Sequence, residues 1–193
     1  MAETISNEDQ EALILDTLEK FLERDVAPYA QELEAEDKYP EDIVEKMKEL
    51  GLFGSIIETQ YGGLGLSAST YAKMIERISR VWMSVSGIIN SHLIMASAVQ
   101  RFGTKEQKNT FLPKFSSGEL RGGLALTEPD CGTDLQAIRT FAKRDGDGYL
   151  VNGTKTWISN AIYGSCFALL VKTDMEAEPR HQGMSLFLSL IHI

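Results

Sequence analysis

"TKEQKNTFLPKFSSGELRGGLALT", residues 104–127, contains the point at which the chain changes its period. Its first half opens with Thr104 and, three residues on, Gln107, the two ends of a capping box, and continues through Phe111 and Phe115, one helical turn apart. After Gly118 that spacing stops, and "RGGLALT" starts a series of short β-type runs punctuated by turns. The boundary is therefore placed at residue 118. Helices are expected before it and strands after it, which makes the fold class α+β rather than an alternating βαβ pattern.

Upstream of this stretch the apolar spacing is helical throughout. In "DQEALILDTLEKFLERDVAPYAQEL" the residues Leu13, Ile14, Leu18, Phe21, Leu22 and Val26 recur on one face until Pro28 interrupts them. A second helix is expected from Pro40, with Ile43, Met47 and Leu50 on one side and a stop at Gly51. "GLFGSIIETQYGGLGLS" is too rich in glycine for a regular element; it lacks the GxGxxG spacing after a strand that a dinucleotide fold requires, since position 68 is Ala. Ser67 and Ser69 can cap one long helix over 68–100, whose part from Val85 to Val99 is nearly all small or apolar and is expected to be buried or to border an apolar ligand pocket. Downstream, "RTFAKRD", "GYLVNGTKTWIS" and "CFALLVKT" read as strands, with "DGDG" and "NG" as turn dipeptides.

Composition limits the function. The 193 residues are 43% apolar and 24% charged, with a net charge of −9. Residues 1–60 hold 17 acidic and 5 basic side chains, and the remainder 11 and 14, so only the first third is acidic. A chain with this balance is a poor nucleic-acid binder, because such binding draws its affinity from cations on phosphate. No run reaches the length of a membrane span, and "MAETISNEDQEALILD" has neither a basic nor an apolar signal region, which points to the cytoplasm. Cys131 and Cys166 lack CxxC spacing, and His92, His181 and His192 lie far apart, so free thiols and no metal site are expected.

The richest stretch for chemistry is "ALTEPDCGTD", residues 125–134. Glu128, Asp130 and Asp134 do not have the spacing of a calcium loop, and no second constellation makes an acid–base pair of them. Cys131 has no cation beside it in sequence to activate a thiolate, and Asp134 can cap the turn "LQAI". Taken with "NGTKTWISN" at 152–160, however, the sequence resembles the acyl-CoA dehydrogenase family, in which a TEPxxGS/TD loop and a W-I-S/T-N strand hold the ring of FAD. Both motifs are present as "LTEPDCGTD" and "WISN", and "GLFGSIIETQYGGLGLS" and "FGTKEQKNTFLPKFSSGEL" also fit, so the likeness runs from about residue 5 to 187. Thr133 stands where serine is commoner, and Asp130 where glycine is frequent.

The resemblance implies an N-terminal all-α domain over 1–118 and a partial antiparallel β-barrel over 119–187. It places Leu124, Leu126, Thr127, Gly132, Thr133, Trp157, Ile158 and Ser159 at FAD. Leu126 and Thr127 would donate to the pyrimidine edge, Trp157 would pack on the ring and Ser159 would bond near N5. Gly132 and Thr133 would approach phosphate, and Thr133 also the CoA part of the substrate. Asp130 should then face solvent. The implied activity is α,β-dehydrogenation of an acyl-CoA, with an electron-transfer flavoprotein as acceptor and a homotetramer as assembly. The family's glutamate base has no counterpart here, and Glu128 is not a candidate for it. Flavin oxidases and monooxygenases share the scaffold, and a non-catalytic interaction module is the remaining alternative. "LSLIHI", residues 188–193, resembles a translated library adapter, so these residues are expected to be a non-native tail on a truncated chain with poor solubility and weak flavin binding of its own.

Overall fold

A computed structural model describes residues 7–190, and the chain divides into two compact units between Glu119 and Leu120. In the first unit α1 (Asn7–Phe21) runs into a π-helical segment, Leu22–Val26, and then into α2 (Ala27–Ala35). Pro28 occupies the first turn of α2, so the chain remains helical across it instead of breaking. The π-turn places Asp25, 7% exposed, against Arg24 at 2.7 Å and Lys46 at 2.6 Å. Lys46 belongs to α3 (Glu41–Glu49), which buries Ile43, Val44 and Met47 and ends before Gly51 at φ 69°, the left-handed geometry expected of that glycine. Residues 52–66, expected to hold no regular element, form two short 3-10 turns, Leu52–Gly54 and Thr59–Tyr61, and fold back on themselves, with Leu64 N–H donating to the Gly54 carbonyl and Leu66 N–H to that of Ser55.

The single helix expected over 68–100 is two: α4 (Ala68–Val81) and α5 (Met83–Phe102). Trp82 separates them in an extended conformation, φ −156° and ψ 109°. Its indole N–H and the Ser84 hydroxyl both donate to one oxygen of Glu34, a tertiary tie that holds the joint and that helical periodicity does not reveal. Ser67 caps α4 by accepting from Thr70 N–H. Within α5, Val85, Ile89, Leu93 and Met95 are buried, whereas Met83, Ile94 and Phe102 are exposed, so the helix is buried on one side and not all round. Both halves of the capping box form at the start of α6 (Lys105–Ser116).

The second unit carries one five-stranded sheet: β1 (Gly122–Ala125), β2 (Phe141–Asp145), β3 (Gly148–Asn152), β4 (Cys166–Lys172) and β5 (Met184–Ser189). The α+β class holds, but the sheet is mixed. β2 with β3 and β4 with β5 are antiparallel, as expected, whereas β1 runs parallel to β4 in the register Gly122 to Cys166, and β2 joins β4 in parallel through Phe141 and Lys172. The long connection from Ala125 to Cys166 provides the crossover that a parallel pair needs. The strands sit closely at one point, where a side-chain carbon on Gly122 would lie 1.4 Å from the Cys166 carbonyl oxygen. Cys166 is buried, and burial pushes its thiol pKa up to about 12. β5 includes Leu188 and Ser189, paired with Ala168 and Phe167; residues 191–193 of the expected tail lie outside the described residues.

Candidate functional site

β1 delivers the chain into Leu126 and Thr127, and the next four residues close on themselves: Glu128 N–H donates to the Cys131 carbonyl at 2.9 Å and Cys131 N–H returns the bond at 3.2 Å. Pro129 and Asp130 form the exposed tip. The Glu128 side chain turns inward and is 5% exposed. One of its carboxylate oxygens accepts from Lys155 Nζ at 2.8 Å and from Thr140 N–H at 2.9 Å, and the other from Arg139 N–H at 2.6 Å. Burial pushes this carboxyl up, but the hydrogen bonds from Lys155, Thr140 and Arg139 outweigh it and hold the pKa at about 2. Glu128 is therefore a fixed anion at neutral pH.

The second motif is tied to the first. Thr156 N–H donates to the Thr127 carbonyl at 2.9 Å, and Lys155 Nζ donates to the Leu126 carbonyl at 2.8 Å. Residues 157–160, expected as a strand, form a turn, because Trp157 (φ 55°) and Asn160 (φ 65°) are left-handed. Asn tolerates that region; for a bulky residue it is an outlier that the surroundings must hold. They do so here through the Thr156–Thr127 bond on one side and, on the other, the Asn160 amide donating to the Gly122 carbonyl at 2.8 Å. Trp157 is 90% exposed.

Of the residues read from the sequence, Leu126, Thr127, Trp157, Ile158 and Ser159 are thus brought onto two joined segments, with Thr127 and Ile158 half-buried and Ser159 exposed. Leu124 is half-buried on β1. Gly132 and Thr133 are exposed, and a side-chain carbon on Gly132 would lie 3.8 Å from the Thr127 methyl. Asp130 is exposed as expected and pairs with Arg139 at 2.8 Å. Asp134 stands at the N-cap of the turn Leu135–Ala137, but its side chain makes no capping bond. Lys155 is the residue that sequence reading missed. Its signal was a lone cation two residues before Trp157, in a chain whose TEP loop carried a carboxylate in need of a partner.

These groups suit a flavin. An exposed aromatic plane, Trp157, stands on the segment bonded to Thr127, and Gly132 and Thr133 are exposed on the adjoining turn, where a flat ligand with an anionic arm could be received. No group of three or more His, Cys, Asp or Glu side chains suited to a metal occurs among the described residues. No helix among them is long and apolar enough to cross a membrane.

Comparison with known proteins gives the same direction. The chain is 37% identical over 178 residues to (2S)-methylsuccinyl-CoA dehydrogenase of Cereibacter sphaeroides, covering 92% of this chain and 32% of that protein. The crystal structure of acyl-CoA dehydrogenase from Geobacillus kaustophilus superposes with a TM-score of 0.86 at 34% identity, over 98% of this chain and 50% of that one. A glutaryl-CoA dehydrogenase from Mycobacterium smegmatis in complex with FADH2 does so with a TM-score of 0.83 at 27% identity, over 94% of this chain and 45% of that one. The chain thus spans half the length of these relatives or less. Residues 7–119 match the acyl-CoA dehydrogenase N-terminal domain and residues 123–189 the acyl-CoA dehydrogenase middle domain, so the chain belongs to the acyl-CoA dehydrogenase family.

Proposed function

We propose that this chain supplies one wall of the FAD site of an enzyme that removes hydrogen from the α and β carbons of an acyl-CoA thioester. The observation that carries the reading is Trp157, which keeps a left-handed backbone and presents 90% of its surface to solvent beside Thr127. An indole so held contributes little packing to its own unit, and a flat apolar ligand gives it a partner. Leu124, Leu126 and Ile158 offer apolar contacts, Thr127 and Ser159 donors for the pyrimidine edge and the region of N5. Gly132 and Thr133 offer main-chain N–H groups for phosphate, and Thr133 reaches the CoA portion of the substrate as well. FAD, when bound, supplies at N5 the acceptor for the β-hydrogen.

In this reading the described residues of the site bind and orient, and Glu128 is not the base for the α-proton. Glu128 already accepts three hydrogen bonds and stays ionised down to about pH 2, so it neither reaches a substrate nor exchanges protons in the neutral range. We assign the base to a glutamate outside these 193 residues, the acceptor role to an electron-transfer flavoprotein, the assembly to a homotetramer and the setting to the cytoplasm. The test is anaerobic addition of a panel of acyl-CoAs to the purified product of the complete open reading frame. Bleaching of the oxidised flavin band with formation of an enoyl-CoA supports the reading. Turnover that consumes oxygen in place of an acceptor dye identifies an oxidase, and a protein without flavin refutes it.

A further inference from the structure

The two segments of the proposed flavin site are joined through one cation. Lys155 Nζ donates to the Leu126 carbonyl and to the Glu128 carboxylate, each at 2.8 Å, and its side chain is 9% exposed. The Leu126 carbonyl shares a planar trans peptide with the Thr127 N–H, so the two point in opposite directions. A carbonyl gripped by Lys155 therefore turns the Thr127 N–H away from Lys155. The carbonyl of Thr127 is held in turn by Thr156 N–H at 2.9 Å, which fixes the second peptide plane beside the same residue. Both planes flanking Thr127 are thus pinned from the segment that carries Trp157.

We propose that Lys155, gripped by Glu128, is a positioning residue for the cofactor: it sets the direction of the Thr127 N–H and the spacing between Thr127 and Trp157. A pyrimidine edge then meets a preset donor while the ring meets the indole. The inference rests on the FAD reading above. An ammonium suits the task because it has three donors and no acceptor, and can hold a carbonyl and a carboxylate at once. Burial keeps water from replacing either bond, and the anionic Glu128, anchored by the Arg139 and Thr140 N–H groups, keeps the cation in place. A donor fixed in advance favours the negative charge that collects at the pyrimidine edge when the cofactor is reduced.

The test uses the complete gene product reconstituted with FAD and four variants: Lys155→Met, Lys155→Arg, Glu128→Gln and, as a control on the exposed tip of the same turn, Asp130→Asn. Loss of a preset donor is expected to raise the FAD dissociation constant about tenfold or more in Lys155→Met, and to shift the flavin reduction potential downward. Lys155→Arg restores most of both, and Asp130→Asn changes neither. A purely structural role would lower thermal stability and leave the potential and visible band of the bound flavin as in wild type; that result overturns the proposal. Where Lys155→Met fails to fold, Glu128→Gln, of similar size, carries the same two readouts with the same signs. A wild type that binds no FAD overturns the flavin reading and this inference with it. A wild type that binds FAD, with a potential unchanged in Lys155→Met or Glu128→Gln, overturns this inference alone.

Discussion

Replacing Glu128 by Ala removes a carboxylate whose oxygens accept from Lys155 Nζ, Arg139 N–H and Thr140 N–H. Lys155, 9% exposed, is left as a buried cation with the Leu126 carbonyl as its remaining partner, and two main-chain donors lose their acceptor. Breaking a buried ion pair from one side costs about 3–5 kcal/mol, a large share of the ~5–15 kcal/mol that holds a typical domain. The assay is native-state hydrogen exchange at the Arg139 and Thr140 amides, read beside urea unfolding. At about 1.4 kcal/mol per tenfold, their exchange should quicken by roughly two to four orders of magnitude. The double variant Glu128→Ala with Lys155→Met should recover much of the loss, since the orphaned charge is gone. The pH dependence has a definite sign. The carboxyl is shifted from 4.5 to about 2 on folding, so its contribution is complete above pH 4.5 and is lost as pH falls through 2. A Glu128→Ala protein destabilised by less than about 1 kcal/mol, or a double variant as unstable as the sum of the singles, refutes the reasoning.

Trp157→Gly should leave the unit as stable as before or more stable by up to ~1 kcal/mol in thermal unfolding, because it removes an exposed indole and relieves a left-handed backbone. The same variant should bind FAD much more weakly in a titration, separating stability from function. Gly122→Ala puts a methyl into the Cys166 carbonyl, so β1 must move off β4, and a loss of about 3 kcal/mol or more is expected in urea unfolding. Thr104→Ala deletes the cap that accepts from Gln107 N–H and should cost about 1 kcal/mol, with exchange quickening confined to the first turn of α6.

What the sequence made legible was local. The capping box of Thr104 and Gln107, the stop at Gly51, the hairpin across Gly146 and Asp147 and the passage from helix to strand between Ser116 and Gly122 each depend on residues a few positions apart, and each is where it was expected. What it hid was long-range. The break at Trp82 carries no glycine or proline and depends on Glu34, 48 residues away. The parallel pairing of β1 with β4 is set by strands at opposite ends of a long connection. The turn at Trp157 read as a strand because its aromatic and β-branched residues favour one, and only the bond from Thr156 to Thr127 and the Asn160 anchor override that preference. The candidate site was legible as a pair of motifs resembling a family. Its buried lynchpin, Lys155 with Glu128, was not, since a pair 27 residues apart leaves no periodic trace.

The central claim is that residues 126–133 and 157–159 receive a flavin. A crystal structure of the complete gene product with FAD tests it most directly. The account predicts the isoalloxazine against the Trp157 indole, with Thr127 hydrogen-bonded to its pyrimidine edge and Lys155 still on the Leu126 carbonyl. A flavin bound elsewhere, with Trp157 left in solvent, would contradict it.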